Sequence, residues 1–362
     1  MFLNAAPFAI SLLFFPLAAL GAWMGGPWML LAPAYAFVAI PALDTVLKLG
    51  EARLDSQTGE DDLLWHRLVT WVWVPVQLTM IFGLIWIAAN TARLTGLEPW
   101  VMAVAVGIAS GGIGITYAHE LIHQKNRFER TLGEVLMCST LYGHWCTEHV
   151  YGHHLNVATP EDPATAREGE SVYRFLPRVL WQTLASSWHI QREQLKRRGA
   201  GFFSRHNAFL RYAGWTAAFL GLAFALGGWM GIGLLVVQAM VAILLLELVD
   251  YIEHYGLLRR KRPNGKYEPT RPHHSWNSGH QASNWLLINL QRHSDHHFKP
   301  AKRFPTLQSY PESEAPQLPH GYPWMVLLSL APPLFFKVMD PKLEAWKARF
   351  YPGEVAGEAV PA

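Results

Sequence analysis

Six stretches of this sequence are long and apolar enough to cross a hydrocarbon core, which takes roughly 20 residues as a helix. They cover about residues 2–24, 27–46, 68–89, 99–117, 209–226 and 229–249. Glycine and proline inside them are compatible with membrane helices, whose neighbours satisfy the freed backbone groups. Only short turns separate the first from the second, the third from the fourth and the fifth from the sixth, a pattern of three helical hairpins. The first stretch lacks a basic leader and runs apolar too far for a removable signal, so it reads as a retained span.

The basic residues give the orientation. Of the 30 Lys and Arg, 28 fall in residues 47–67, 118–208 and 252–362; Arg211 enters the fifth span from that same side, and only Arg93 lies opposite. The positive-inside rule then places both termini and both long segments in the cytoplasm. The net charge of +3 follows from that segregation and speaks against a nucleic-acid groove. Within the first long segment, residues 172–198 alternate apolar Phe175, Leu176, Val179, Leu180, Leu184 and Trp188 with basic residues, an amphipathic helix expected to lie on the membrane surface. Residues 322–338 are apolar but broken by Pro332 and Pro333, which predicts an interfacial anchor. Residues 351–362 are rich in Ala, Glu, Gly and Pro and read as a disordered tail or linker. The expected fold is an all-α integral membrane protein of six transmembrane helices with a cytoplasmic, histidine-rich helical cap, one domain over residues 1–350.

Seventeen histidines are the compositional anomaly. His119 and His123 follow the fourth span at i, i+4, a spacing that puts two imidazoles on one helix face. His149, His153 and His154 follow at i, i+4, i+5, and His293, His296 and His297 at i, i+3, i+4. His254 stands where the sixth span leaves the membrane. Single histidines such as His66, His189, His206 and His320 read as ordinary surface or interface residues, and His144, His273, His274 and His280 lack ligand spacing. Nine candidate imidazoles exceed what one metal accepts, so two metals with four or five each is the natural partition. Imidazole suits iron, copper, nickel and zinc alike. Glu120, Glu148, Asp162, Glu253 and Asp295 are candidates to hold ring N–H groups and fix tautomers. Cys138 and Cys146 form no CxxC, so nothing supports a disulfide framework or a zinc ribbon.

The runs Ala118-His-Glu-Leu-Ile-His-Gln-Lys-Asn-Arg127, Glu148-His-Val-Tyr-Gly-His-His154, Pro160-Glu-Asp-Pro-Ala-Thr-Ala166, Tyr251-Ile-Glu-His-Tyr-Gly256 and Leu290-Gln-Arg-His-Ser-Asp-His-His297 resemble the bacterial alkane 1-monooxygenases, within the membrane desaturases and hydroxylases. Asp250 departs from the Asn usual there. The resemblance implies a non-haem centre of two Fe ions in the bacterial inner (plasma) membrane. It implies ligation by His119, His123, His149, His153, His154, His254, His293, His296 and His297. It further implies terminal hydroxylation of n-alkanes with O2, and electrons from rubredoxin with its reductase upstream. A redox metal suits an unactivated C–H bond, which offers nothing to acid or base catalysis. Arg259, Arg260, Lys261, Arg262, Lys299, Lys302 and Arg303 would form the basic face on which rubredoxin docks. Three other readings stand beside this one. A sibling enzyme, such as a xylene monooxygenase or fatty-acyl desaturase or hydroxylase, shares the histidine layout. A zinc protease would use His119-Glu-Leu-Ile-His123 but leaves seven histidines unexplained. A metal transporter would hold its ligands at the bilayer midplane, not at the ends of spans.

Overall fold

The computed structural model describes residues 1–50 and 54–351, and among them it is helical, with isolated β-bridges and no strand. Five helices are long and apolar enough to cross a membrane: α1 (Phe2–Met24), α2 (Gly26–Leu47), α3 (Glu60–Asn90), α4 (Glu98–Ile122) and, later in the chain, Ala208–His254. The chain is therefore a multi-pass membrane protein. Between α4 and the long helix lie α5 (Arg127–Ser139), α6 (residues 145–156) and α7 (Val172–Arg197). The long helix is α8. After it come short α9 (Gln281–Leu286) and α10 (His293–Phe298), then α11 (Tyr322–Ser329) and α12 (Pro332–Phe350).

The sequence led us to expect two spans where α8 runs for 47 residues, and the difference is one of continuity. Its backbone leaves helical geometry at Gly228 (φ 57°, ψ −144°), and there the chain turns back on itself. Phe224 and Trp229 meet edge to face across the turn, with centroids 5.4 Å apart, and Gly231 lies so near the Ala223 carbonyl that a Cβ has no room. Asn126 and Asn207 start α5 and α8 by accepting from the Phe128 and Phe209 amides, the usual work of an N-cap side chain.

α4 is the innermost span: 78% of its apolar window is buried, against 22–44% in the other four. Small residues let it approach α8. A Cβ on Gly107 would meet Val241 Cβ at 2.6 Å and the Gln238 carbonyl at 2.7 Å, and one on Gly111 would meet Ala242 Cα at 2.8 Å. That is the glycine-spaced packing by which membrane helices gain van der Waals contact without a hydrophobic drive.

α7 matches the expected amphipathic helix in extent, but it divides its apolar side chains between two faces. Phe175, Val179 and Leu195 are buried under the cap, whereas Tyr173, Trp181, Leu184 and Trp188 face outward. The stretch expected as one interfacial anchor over 322–338 is two helices. Pro332 and Pro333 occupy the first turn of α12, where a missing N–H costs nothing, and α12 continues to Phe350. Its Phe335 packs on Tyr251 of α8 and on Tyr255 just beyond its end, at 5.1 and 5.0 Å. Tyr351, the first residue of the expected tail, is buried, and its hydroxyl lies 2.8 Å from His274 Nε2; residues 352–362 lie outside the described residues.

Candidate metal centre

The nine clustered histidines meet in one place and separate into two sets. His119, His123, His149, His154 and His296 form one set, and His153, His254, His293 and His297 the other; within each, the facing ring nitrogens all lie within 4.8 Å of one another. α4 delivers His119 and His123, α6 delivers three, the end of α8 delivers His254, and α10 delivers the last three.

The division follows from backbone geometry. Residues 149–153 form a π turn, in which hydrogen bonds run i to i+5. On an α-helix a residue at i+5 lies about 140° round from i and faces away. The wider turn instead brings His154 Nε2 to 3.0 Å from His149 Nε2, and leaves His153 to face the other set, 3.3 Å from His297 Nε2. α10 splits likewise: His293 and His297, at i, i+4, lie 2.9 Å apart, while His296 turns to His154 at 3.0 Å.

These contacts suit a shared cation better than mutual hydrogen bonds. A neutral imidazole has one donor and one acceptor nitrogen, so five nitrogens aimed at one point cannot satisfy each other. Two nitrogens each ~2.1 Å from one ion at a right angle lie ~3.0 Å apart, which is the spacing seen. His119 Nε2 is buried with no hydrogen-bond partner. Burial, and then the neighbouring imidazoles, hold His149, His154, His293, His296 and His297 well below the usual histidine range, in the neutral form that ligates. The residues present thus fit a histidine-bound metal site.

The carboxylates expected around the site have separate fates. Asp162 meets His153 Nδ1 with both oxygens, at 3.1 and 3.0 Å, while Thr165 Oγ1 donates to it at 2.6 Å. Burial, the largest single influence, would raise Asp162, but His153, His254 and the Thr165 hydroxyl together hold the carboxyl below the usual range. Glu253 faces the inner side: its Oε2 lies 3.3 Å from His293 Nε2, the atom that also faces His254 and His297, so it acts on the ligating edge rather than on an outer N–H. Glu148 is buried beneath Gly152, where a Cβ would collide with its Oε1, and burial pushes its carboxyl up to about 7. Glu120 accepts from Gln124 Nε2 and the Phe304 amide, not from an imidazole. Asp295 likewise takes Lys302, Tyr310 and the Gln308 amide, and so pins the 299–310 loop.

Outside the two sets, His66 is buried between Phe8 and Phe304 rather than at the surface, while His189, His206 and His320 are exposed. Glu268, His273 and His274 also cluster, but His274 Nδ1 accepts from the Arg271 amide and its Nε2 meets Tyr351 and Glu268, so hydrogen bonds account for it. Spacing alone did not reveal Trp145, which stacks on His149 with centroids 4.2 Å apart.

An apolar cavity opens onto the histidines. His119 and His149 of one set and His293 of the other line it, together with Phe37 of α2, Ile108 of α4, and Leu245 and Val249 of α8. Residues 95–328 match the model of the fatty acid desaturase family. The chain is 38% identical to alkane 1-monooxygenase 2 of Pseudomonas aeruginosa, covering 89% of this chain and 85% of that one. It is 37% identical to the alkane 1-monooxygenase of Acinetobacter baylyi (91% and 80% covered), and 30% identical to the xylene/toluene monooxygenase hydroxylase component of Pseudomonas putida (92% and 88%). The chain belongs to the alkane 1-monooxygenases of the fatty acid desaturase family.

In this alkane 1-monooxygenase family member, the basic residues expected to face a partner are unequally available. Arg303 is buried and bonds Glu129 through both terminal nitrogens, at 3.0 and 2.8 Å, with Glu60 also in reach. Lys302 is held by Asp295, and Arg259 donates to the Leu155 and Glu268 carbonyls. Arg260 lies over the Tyr351 ring. Lys261, Arg262 and Lys299 are exposed. The first histidine set reaches the surface, with His123 and His154 half-buried, whereas all four members of the second are buried.

Proposed function

We propose that this chain hydroxylates the terminal carbon of medium- and long-chain n-alkanes at two histidine-bound irons, giving 1-alkanols. The observation that carries this is an apolar cavity lined in part by imidazoles of both sets. The reaction balances as RH + O2 + 2e⁻ + 2H⁺ → ROH + H2O, and the irons supply the redox chemistry that an unactivated C–H bond requires. His119, His123, His149, His154 and His296 would hold one iron, and His153, His254, His293 and His297 the other. Asp162 fixes the His153 ring by holding its Nδ1 proton, and Glu253 offers an oxygen beside His293. The cavity wall excludes water and lays the chain with one end at the histidines. Its lateral lining between helices favours entry from the bilayer.

The turn at Gly228 supports six crossings in three hairpins, with both termini and the histidine cap in the cytoplasm beside the bacterial inner membrane. Rubredoxin is the proposed electron donor, and it would dock over half-buried His123 and His154, near exposed Lys261, Arg262 and Lys299. Membranes carrying the protein, given rubredoxin, its reductase, NADH and a series of n-alkanes, should form 1-alkanols. Alkenes in place of alcohols would assign a desaturase instead, and no product from any alkane would end the proposal.

A further inference from the structure

We propose that Gly112 sets the length of hydrocarbon the cavity admits, an inference that rests on the alkane reading above. α4 carries two consecutive glycines in opposite surroundings. A Cβ on Gly111 would strike Ala242 of α8, at 2.8 Å from Cα and 2.9 Å from the carbonyl, so that glycine is required by helix packing. A Cβ on Gly112 would meet no atom within 4 Å, yet Gly112 lines the cavity. The missing side chain is not required by packing, and the open space beside it adjoins the cavity that Gly112 lines.

The position is suited to measuring a chain. Gly112 lies in the π turn Ser110–Ile115, where its carbonyl accepts from Thr116 Oγ1 at 2.8 Å. It precedes His119 by seven residues, about 10 Å along a helix. Gly112 itself and the cavity-lining Phe37, Ile108, Leu245 and Val249 are only half-buried, so this stretch of the cavity borders the outside of the helix bundle. An alkane with its end at the histidines and longer than that separation must pass Gly112; a shorter one need not. Any side chain added there would stand in the path of the longer chain alone.

The test compares Gly112→Ala and Gly112→Leu with the native protein in membranes, over a series of n-alkanes, with iron content measured on each. In Gly112→Leu, kcat/KM for the longest alkane relative to the shortest should fall at least about tenfold, the scale on which apolar pockets discriminate by small groups. Gly112→Ala should move the same ratio less, with iron content unchanged in both, and it decides the matter alone if the leucine variant binds less iron. An unchanged ratio, or an equal fall at all lengths, overturns the role of Gly112. A native protein that turns over no n-alkane fails at the earlier reading, and the proposal falls with it.

Discussion

At the residue scale, the convergence of the nine histidines was legible in the sequence, because chemistry-bearing residue types at helical spacing need only a helix to converge. Which histidine joins which set was not legible. The i, i+4, i+5 run gives no sign that residues 149–153 form a π turn, and without that turn His154 would have been assigned away from His149. Carboxylates were read less well: Glu120 and Asp295 sit beside ligands in sequence but turn toward Gln124 and Lys302, because an adjacent residue on a helix points elsewhere. Asp162 is the one that holds an imidazole by its outer nitrogen. Asp162→Asn should weaken metal binding about 10–100-fold, the usual effect of losing such a partner. His297→Ala should abolish turnover while the protein still inserts, and exposed His320→Ala should change neither. Metal titration and product formation on the three variants check this, and equal losses in all three would remove the assignment.

At the scale of elements, the apolar stretches marked the spans well, since hydrocarbon thickness fixes their length. Their packing was less visible. Gly107 and Gly111 lie four apart, a signal present in the sequence, yet only the close approach of Val241 and Ala242 shows which helix they meet. Gly111→Val should destabilise the protein by about 1–3 kcal/mol, since the added carbons force α4 and α8 apart. Thermal unfolding of the solubilised protein would show it, and an unchanged midpoint would mean that the two helices yield freely. The prolines at 332 and 333 misled in a different way: they forbid continuing a helix but suit the start of one.

At the scale of the whole molecule, charge patterning in the sequence counts basic residues that the fold does not leave free, because folding takes Arg303, Lys302 and Arg259 for internal bonds. Turnover at limiting rubredoxin should fall with added salt, as screening shortens to about 8 Å at physiological strength. Lys261→Glu with Lys299→Glu should raise the KM for rubredoxin more than it lowers kcat. Arg303→Glu should instead destabilise the fold by about 3–5 kcal/mol, because it leaves buried Glu129 facing like charge. Salt-independent kinetics would dismiss this face as the docking site. The two histidine sets also have a joint consequence. His153 and His154 are consecutive residues that serve different sets, and so are His296 and His297. Two peptide bonds therefore tie the sets together, and ordering one set fixes half of the backbone that the other needs. Filling the first should cheapen filling the second by about 1–3 kcal/mol, the usual size of coupling between sites. A metal titration of the apo-protein would then be steeper than independent filling allows, and the half-filled population would stay below the share that independent sites give.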